Sequence, residues 1–353
     1  MSELRLDPTT REWVIMAPER AKRPQHTSKK SLPMVLPERD ESCPFCPGNE
    51  SKTPPETFRL PLMGQTGVWD VRVIPNRFAV LELNKNIIKG GNGHFFHKRV
   101  GTGVHEVIIE TPSRNTPMAL MTYQQVEKVL VAYQQRYNTL KENHQLKFIT
   151  IFKNHGWAAG ASLIHSHSQL VATPIPATYS HRKSNIAMDY CYDVGECLYC
   201  DLLAEELEKQ KRIVAETKEF VVLHPYASRV PYETWIIPKK HCASFGLFPV
   251  TYLAELAMVL KDTLLCLYRG LDNPAFNYMF DTTTTEDEAD PYYHWHIRIV
   301  PRLTTIAGFE MGSGIYISAA MPEDTVRFMK KVANSCAEDE CLSIKQKVPA
   351  RLT

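Results

Sequence analysis

The sequence predicts an α+β protein made of two tandem units of mainly antiparallel strand, each with one long helix and related by internal duplication. Three observations lead there: blocks that recur in the same order, helical periodicity at matching places, and a Cys-x-x-Cys pair opening each series. The first series runs "CPFC", "WDVRVIPNRFAVL", "HEVIIETPSRN", a helical stretch near Tyr123–Glu142, "KFITIFKN" and "HSHSQL". The second runs "CLYC", "EFVVLHPYASRVP", "YETWIIPKKHCASF", a helical stretch near Thr251–Gly270, "FNYMFDT" and "HWHIRIVP".

The helices follow from apolar residues stepping by three and four: Val126, Leu130, Tyr133, Tyr137 and Leu140, then Leu253, Leu256, Leu260, Leu264 and Leu267. Thr122 with Gln125 three residues on reads as a capping box. The strands follow from β-branched and aromatic runs such as "VRVI", "EVIIE", "FITIF", "TWII" and "IRIV". The units are expected at 1–190 and 191–353, joined through the polar, proline-containing run "TPIPATYSHRKSNIAMDY". Seven prolines between positions 24 and 55 mark an irregular region that houses the first Cys-x-x-Cys.

Composition excludes several classes. Apolar residues make up 44% and charged residues 23%, as in a soluble globular protein and unlike a disordered one. Lys and Arg number 41 against 39 Asp and Glu, with no basic block to hold nucleic acid or an anionic membrane. No apolar run approaches the about 18–20 residues of a membrane span, and "MSELRLDPTTREWV" lacks the pattern of a signal peptide. A cytoplasmic protein is expected.

Four of the nine cysteines form the two Cys-x-x-Cys pairs, and in a reducing compartment two such thiolates can share one tetrahedral zinc. The duplication indicates where partner ligands lie. Cys197, Cys200, His241 and His294 would close a Cys2His2 site, with His296 in reserve because it shares a strand face with His294. Cys43, Cys46 and His165 form the corresponding first set. The position matching His241 falls near Ser113–Arg114, which offers no good ligand, so that set takes another fourth ligand such as His105, takes water, or no longer holds metal.

His165 and His167 in "LIHSHSQL" lie two apart, about 6–7 Å along one strand face. Upstream, "NHGWAAGAS" supplies small residues from Ala158 to Ser162, which let backbone N–H groups approach phosphate oxygens closely. A phosphate-cradling loop feeding paired histidines suits phosphoryl or nucleotidyl transfer.

The whole run "NHGWAAGASLIHSHSQL" resembles the active-site signature of the galactose-1-phosphate uridylyltransferase family, the transferase branch of the histidine-triad (HIT) superfamily. "RAKRPQ", "CPFC", "VIPNRFAVL", "HWHIRIVPRL" and "GFEMGSGIYI" extend the likeness along nearly the whole chain. The resemblance implies two HIT-like half-barrels and a homodimer. It implies that His167 attacks the α-phosphorus of a nucleoside diphosphate sugar, expels a sugar 1-phosphate and carries the nucleotide until a second phosphate accepts it. It gives Gln169 a hydrogen bond to the phosphoryl oxygens, His165 a metal, and Ser166 a backbone carbonyl that orients His167, a role independent of its side chain. Asn76 and Phe78 are implied as nucleoside contacts, Asn154, Gly160 and Ser162 as the phosphate cradle. Arg20 and Arg23 are implied as phosphate or sugar contacts, often from the partner subunit, and Glu310 as part of the segment reading the hexose. The first expectation is a UDP-glucose–hexose-1-phosphate uridylyltransferase with zinc. Ser166 and "GFEMGSGIYI" also resemble a branch that includes plant ADP-sugar phosphorylases, so adenylyl transfer to phosphate is the alternative. A dinucleotide polyphosphate phosphorylase, or a zinc-containing nucleotide-binding HIT protein without transferase activity, stands further off.

Overall fold

The computed structural model describes residues 2–22, 36–62, 68–83, 89–92 and 94–338. In chain order the strands are β1 (Glu3–Asp7), β2 (Glu12–Met16), β3 (Phe58–Pro61), β4 (Trp69–Pro75), β5 (Lys89–Asn92), β6 (Phe96–Arg99), β7 (Val104–Ile109), β8 (Phe148–His155), β9 (His167–Thr173), β10 (Ile213–Glu216), β11 (Phe220–Leu223), β12 (Thr234–Pro238), β13 (Phe276–Asp281), β14 (His296–Pro301) and β15 (Tyr316–Ser318). The helices are α1 (Tyr123–Lys141), α2 (Thr178–Val194), α3 (Leu198–Lys209), α4 (Leu253–Gly270), α5 (Gly308–Ser313) and α6 (Pro322–Glu338).

Ten strands form one sheet in the order β10-β11-β12-β14-β13-β8-β9-β7-β4-β3. Read inward from either edge, each half places its strands in the same order, so the repeated blocks of the sequence appear as a pseudo-two-fold. Its centre is the antiparallel pair β8–β13, where Asn154 faces Asn277 and Lys153 faces Tyr278. The sheet is mixed with helices, as the α+β reading requires.

Strand alternation assigns the two faces. Ile149, Ile151, Tyr278, Phe280, Ile297 and Ile299 point into one core with α1 and α4. Both helices bury the five apolar residues that marked them in the sequence. The other parity, including Phe152, Asn154, Asn277, Met279 and Arg298, lines the opposite face. His167 and Gln169 continue that parity on β9, opposite Ile109 and Val107 of β7.

Two expectations change. Thr122 caps α1 by accepting the Gln125 N–H at 3.1 Å, but Gln125 does not reach back. Its amide instead donates to the Asp70 and Glu110 carbonyls at 3.0 and 2.7 Å, tying the helix to the sheet. The run expected only to connect the units is largely helical: after Pro176 it forms α2, whose Lys183 is buried against Asp281 of the second half at 2.9 Å. A separate small sheet, β1-β2-β15, fastens the N-terminus to the segment after α5. No helix among the described residues is long and apolar enough to cross a membrane.

Candidate active site

Each Cys-x-x-Cys pair meets the histidines that the duplication indicated. Cys197, Cys200, His241 and His294 bring one donor atom each to within 4.8 Å of one another, as do Cys43, Cys46 and His165. Cys200 Sγ lies 3.3 Å from His241 Nδ1 and 3.4 Å from His294 Nδ1. His165 Nδ1 lies 3.5 and 3.7 Å from the Cys43 and Cys46 sulfurs. A tetrahedron with metal–sulfur bonds of about 2.3 Å and metal–nitrogen bonds of about 2.0–2.1 Å has sulfur–nitrogen edges of about 3.5 Å, so both groups fit a metal. His165 Nε2–H donates to the Thr111 carbonyl at 2.8 Å, which leaves Nδ1 as the ligand nitrogen. Burial lowers the His165 pKa to about 4, keeping that nitrogen unprotonated.

Neither reserve ligand joins. His296 Nε2 is 3.3 Å from Asp281 Oδ2, and its ring stacks on Trp235, because strand pairing holds it against Asp281 of β13. His105 sits on β7 opposite Val171, four residues up the ladder from His167, and bonds Gln169 instead. The first group therefore has three ligands among the described residues.

His167 opens β9. Its Nδ1–H donates to the carbonyl of His165 at 2.8 Å, and Phe45 of "CPFC" packs edge-on against both rings. The expected orienting carbonyl, that of Ser166, is taken by the Glu110 N–H at 3.1 Å. The Ser166 side chain is not idle, contrary to expectation. Its hydroxyl donates to Glu110 Oε2 at 2.6 Å and accepts from Lys153 Nζ at 3.1 Å. Lys153 also donates to Glu110 at 2.5 Å and to the His167 carbonyl at 3.0 Å, so a buried ion pair braces the His167 strand from beneath. Burial lowers the His167 pKa, and the Lys153 cation adds to that effect. The lowered pKa favours the neutral ring, in which Nδ1 is the engaged nitrogen.

A cavity of about 430 Å³ opens over His167 and Gln169, with Asn76, Phe78 and Ser162 in its wall and Phe45 and Ile74 as apolar lining. Phe78 is 83% exposed at its mouth, so it is no core aromatic. Asn76 does serve as a turn residue, accepting the Phe78 N–H at 2.9 Å. The loop expected to cradle phosphate is tight. Gly156 and Gly160 take positive φ of 79° and 87°, and the Ala161 N–H closes back onto the Gly156 carbonyl at 3.2 Å. Asn277 donates to Asn154 Oδ1 and to the Ala159 carbonyl, both at 2.8 Å, leaving the Asn154 –NH2 as a donor.

Arg20 and Glu310 are not brought to this cavity within the chain. Arg20 follows β2 and Glu310 precedes β15; those strands pair in parallel, so both residues belong to one small module. Arg23 lies outside the described residues. Glu310 accepts the Ala307 N–H at 3.1 Å, capping α5.

Sequence reasoning missed Lys153 and Glu110. The signal was a lysine in "FITIFKN" and a glutamate in "EVIIE" at core-facing positions, where unpaired charge is not tolerated. The second half keeps the histidine pair with His296 fully buried: its Nδ1 is 3.1 Å from the His294 carbonyl, Lys183 and Asp281 lie at its other nitrogen, and Trp235 stacks on its ring.

An imidazole anchored at one nitrogen shares the cavity with the side chains of Asn76, Ser162 and Gln169, an arrangement suited to nucleotidyl transfer. Similarity to known proteins agrees. The family described as galactose-1-phosphate uridyl transferase, N-terminal domain, matches residues 1–175, and its C-terminal domain matches 179–331. The chain belongs to the galactose-1-phosphate uridylyltransferase family. It is 36% identical to an ADP-glucose phosphorylase of Arabidopsis thaliana, covering 94% of this chain and 93% of that one. It is 29% identical to a galactose-1-phosphate uridylyltransferase of Thermotoga maritima, covering 94% and 98%. Among solved structures, an Arabidopsis ADP-glucose phosphorylase with bound ADP-glucose superimposes with a TM-score of 0.79 at 33% identity, covering 94% of this chain and 99% of that one.

Proposed function

We propose that the protein transfers a nucleoside monophosphate from a nucleoside diphosphate sugar to a second phosphate through a covalent intermediate on His167. The observation that carries this is the Nδ1–His165 carbonyl bond, which holds a neutral imidazole with Nε2 free at the cavity. The Nε2 lone pair bonds the α-phosphorus, and the P–O bond to the departing sugar 1-phosphate breaks with its electron pair. Nδ1–H stays on the His165 carbonyl, which stabilises the cationic ring of the intermediate. An oxygen of the acceptor phosphate then attacks, the P–N bond breaks, and its electrons return to Nε2. The leaving group is a stable anion, so positioning and charge stabilisation carry the reaction. Gln169, Asn154 and the loop at Gly160 and Ser162 supply donors to the phosphoryl oxygens, and Asn76 and Phe78 hold the nucleoside. Zinc at both Cys/His groups would fix the "CPFC" loop and the His165–His167 strand, and would brace the second half.

The donor we favour is ADP-glucose with inorganic phosphate as acceptor, supported by the 36% identity to the Arabidopsis phosphorylase. The second reading is UDP-glucose with hexose 1-phosphate, supported by the family and by the Thermotoga relative. The halves 1–190 and 191–353 then divide the work, chemistry in the first and a blocked copy in the second. In a homodimer the module carrying Arg20 and Glu310 would reach the partner's cavity. The test offers ADP-glucose or UDP-glucose labelled in the nucleotide, then chases with phosphate or galactose 1-phosphate. Release of labelled ADP by phosphate supports the first reading, and labelled UDP-galactose supports the second. No covalent label from either donor overturns both.

A further inference from the structure

We propose that His105 is a positioning residue that fixes which end of the Gln169 amide faces the reacting phosphorus. The inference rests on the nucleotidyl-transfer reading above. His105 is buried on β7 and touches no metal group. Its Nδ1 lies 3.2 Å from the Val80 backbone N–H, which can only donate. Nδ1 must therefore accept, which puts the ring proton on Nε2. That Nε2–H points at Gln169 Oε1, 2.7 Å away. A second donor converges on the same oxygen: Asn76 Nδ2 at 3.5 Å, its own orientation set by the Phe78 N–H on Asn76 Oδ1. The 3.1 Å between Asn76 Nδ2 and His105 Nε2 is the spacing of two donors meeting at one acceptor.

With Oε1 occupied in this way, Gln169 presents its –NH2 to the cavity. The polarity matters because phosphoryl oxygens accept and never donate. A flipped Gln169 would turn a carbonyl oxygen toward an anionic phosphoryl group, exchanging attraction for repulsion. The polarity thus originates in two backbone N–H groups of the turn at Phe78 and Val80, relayed by two side chains.

His105→Gln and His105→Glu separate this role from packing. The replacements are nearly isosteric, but the glutamine can donate to Gln169 Oε1 and the glutamate cannot. Covalent nucleotide formation is measured in single turnover with ADP-glucose and UDP-glucose. Removing one preorganised donor from a site of this kind costs about 10²–10³ in rate. Loss of Gln169 polarity is therefore expected to slow His105→Glu by about tenfold or more, with donor affinity changed far less. His105→Gln is expected to stay within a few-fold of wild type. In a Gln169→Ala background the Glu substitution should cost nothing further, since a residue acting through Gln169 has no target there. Equal rates for the Gln and Glu variants, or an undiminished cost in the Gln169→Ala background, overturn the inference. Should His105→Glu fail to fold, His105→Leu takes its place in both backgrounds with the same outcomes. A wild-type protein that forms no covalent nucleotide overturns the underlying reading instead.

Discussion

Lys153→Met tests the buried pair beneath the His167 strand. Glu110 is fully buried and Lys153 is 1% exposed, with 2.5 Å between their charged atoms. Burial pushes the Glu110 carboxyl up, but the Lys153 cation and hydrogen bonds from Lys153, Ser166 and Tyr133 bring it below its ordinary value. Methionine fills the lysine's space and leaves the carboxylate with the Ser166 and Tyr133 hydroxyls at 2.6 and 3.0 Å. Stranding one partner of a buried pair costs about 3–5 kcal/mol. Without the cation the Glu110 pKa rises above its unfolded value, so the variant takes up a proton on folding and its deficit grows with pH. Urea unfolding at pH 5 and pH 8 reads this: the loss should be larger at pH 8. Lys153→Met/Glu110→Gln should recover most of it, because a neutral amide keeps both hydroxyl partners. A single-variant loss below about 1 kcal/mol, or a double variant no better than the single, would refute the claim that charge compensation holds this strand.

His224 offers a pH dependence outside both Cys/His groups. It is fully buried, its Nδ1 is 2.7 Å from Thr325 Oγ1, and burial lowers its pKa to about 3. The unfolded chain binds this proton near pH 6.5, so the stability is present above that value and is lost as pH falls toward 3. His224→Asn keeps a donor for Thr325 without the titration, and should flatten the stability loss between pH 7 and pH 4 by about 3 kcal/mol in urea unfolding. Metal analysis should show a larger zinc loss for Cys200→Ser, from a four-ligand group, than for Cys46→Ser, from a three-ligand one. Equal losses would overturn that ranking. Gly156→Ala places a Cβ 2.9 Å from Ala275 Cβ at φ 79°, and should destabilise by at least about 1 kcal/mol while slowing transfer, read by thermal unfolding and single turnover.

Much of this was legible in the sequence because duplication constrains two places at once. Matching "HWHIRIVP" to "HSHSQL" marked β14 and β9 as corresponding strands, and the duplication singled out His241 and His294, which the fold gathers with Cys197 and Cys200. Periodicity carried α1 and α4, whose apolar stripes are long and uninterrupted. It failed at α2, where prolines precede a helix whose buried Lys183 reads as a surface residue until Asp281 is beside it. It also failed for the polar partners. Which carbonyl holds His167, what the Ser166 hydroxyl bonds, and where His105 points all depend on register between strands distant in sequence. That register moves a side chain from metal to amide with no change in composition. Arg20 and Glu310 show the opposite case: motif likeness marked them, while the fold of a single chain gathers them into one module apart from the cavity.

The central claim is that His167 Nε2 becomes bonded to phosphorus. Wild type and His167→Ala would each be incubated with ADP-glucose or UDP-glucose without acceptor, then measured as intact proteins and mapped as peptides by mass spectrometry. The expected result is one nucleoside monophosphate per chain in wild type, on the peptide containing His167, acid-labile and discharged by acceptor, with none in His167→Ala. A nucleotide that persists in His167→Ala, or turnover in wild type with no covalent species at any time, would contradict the account.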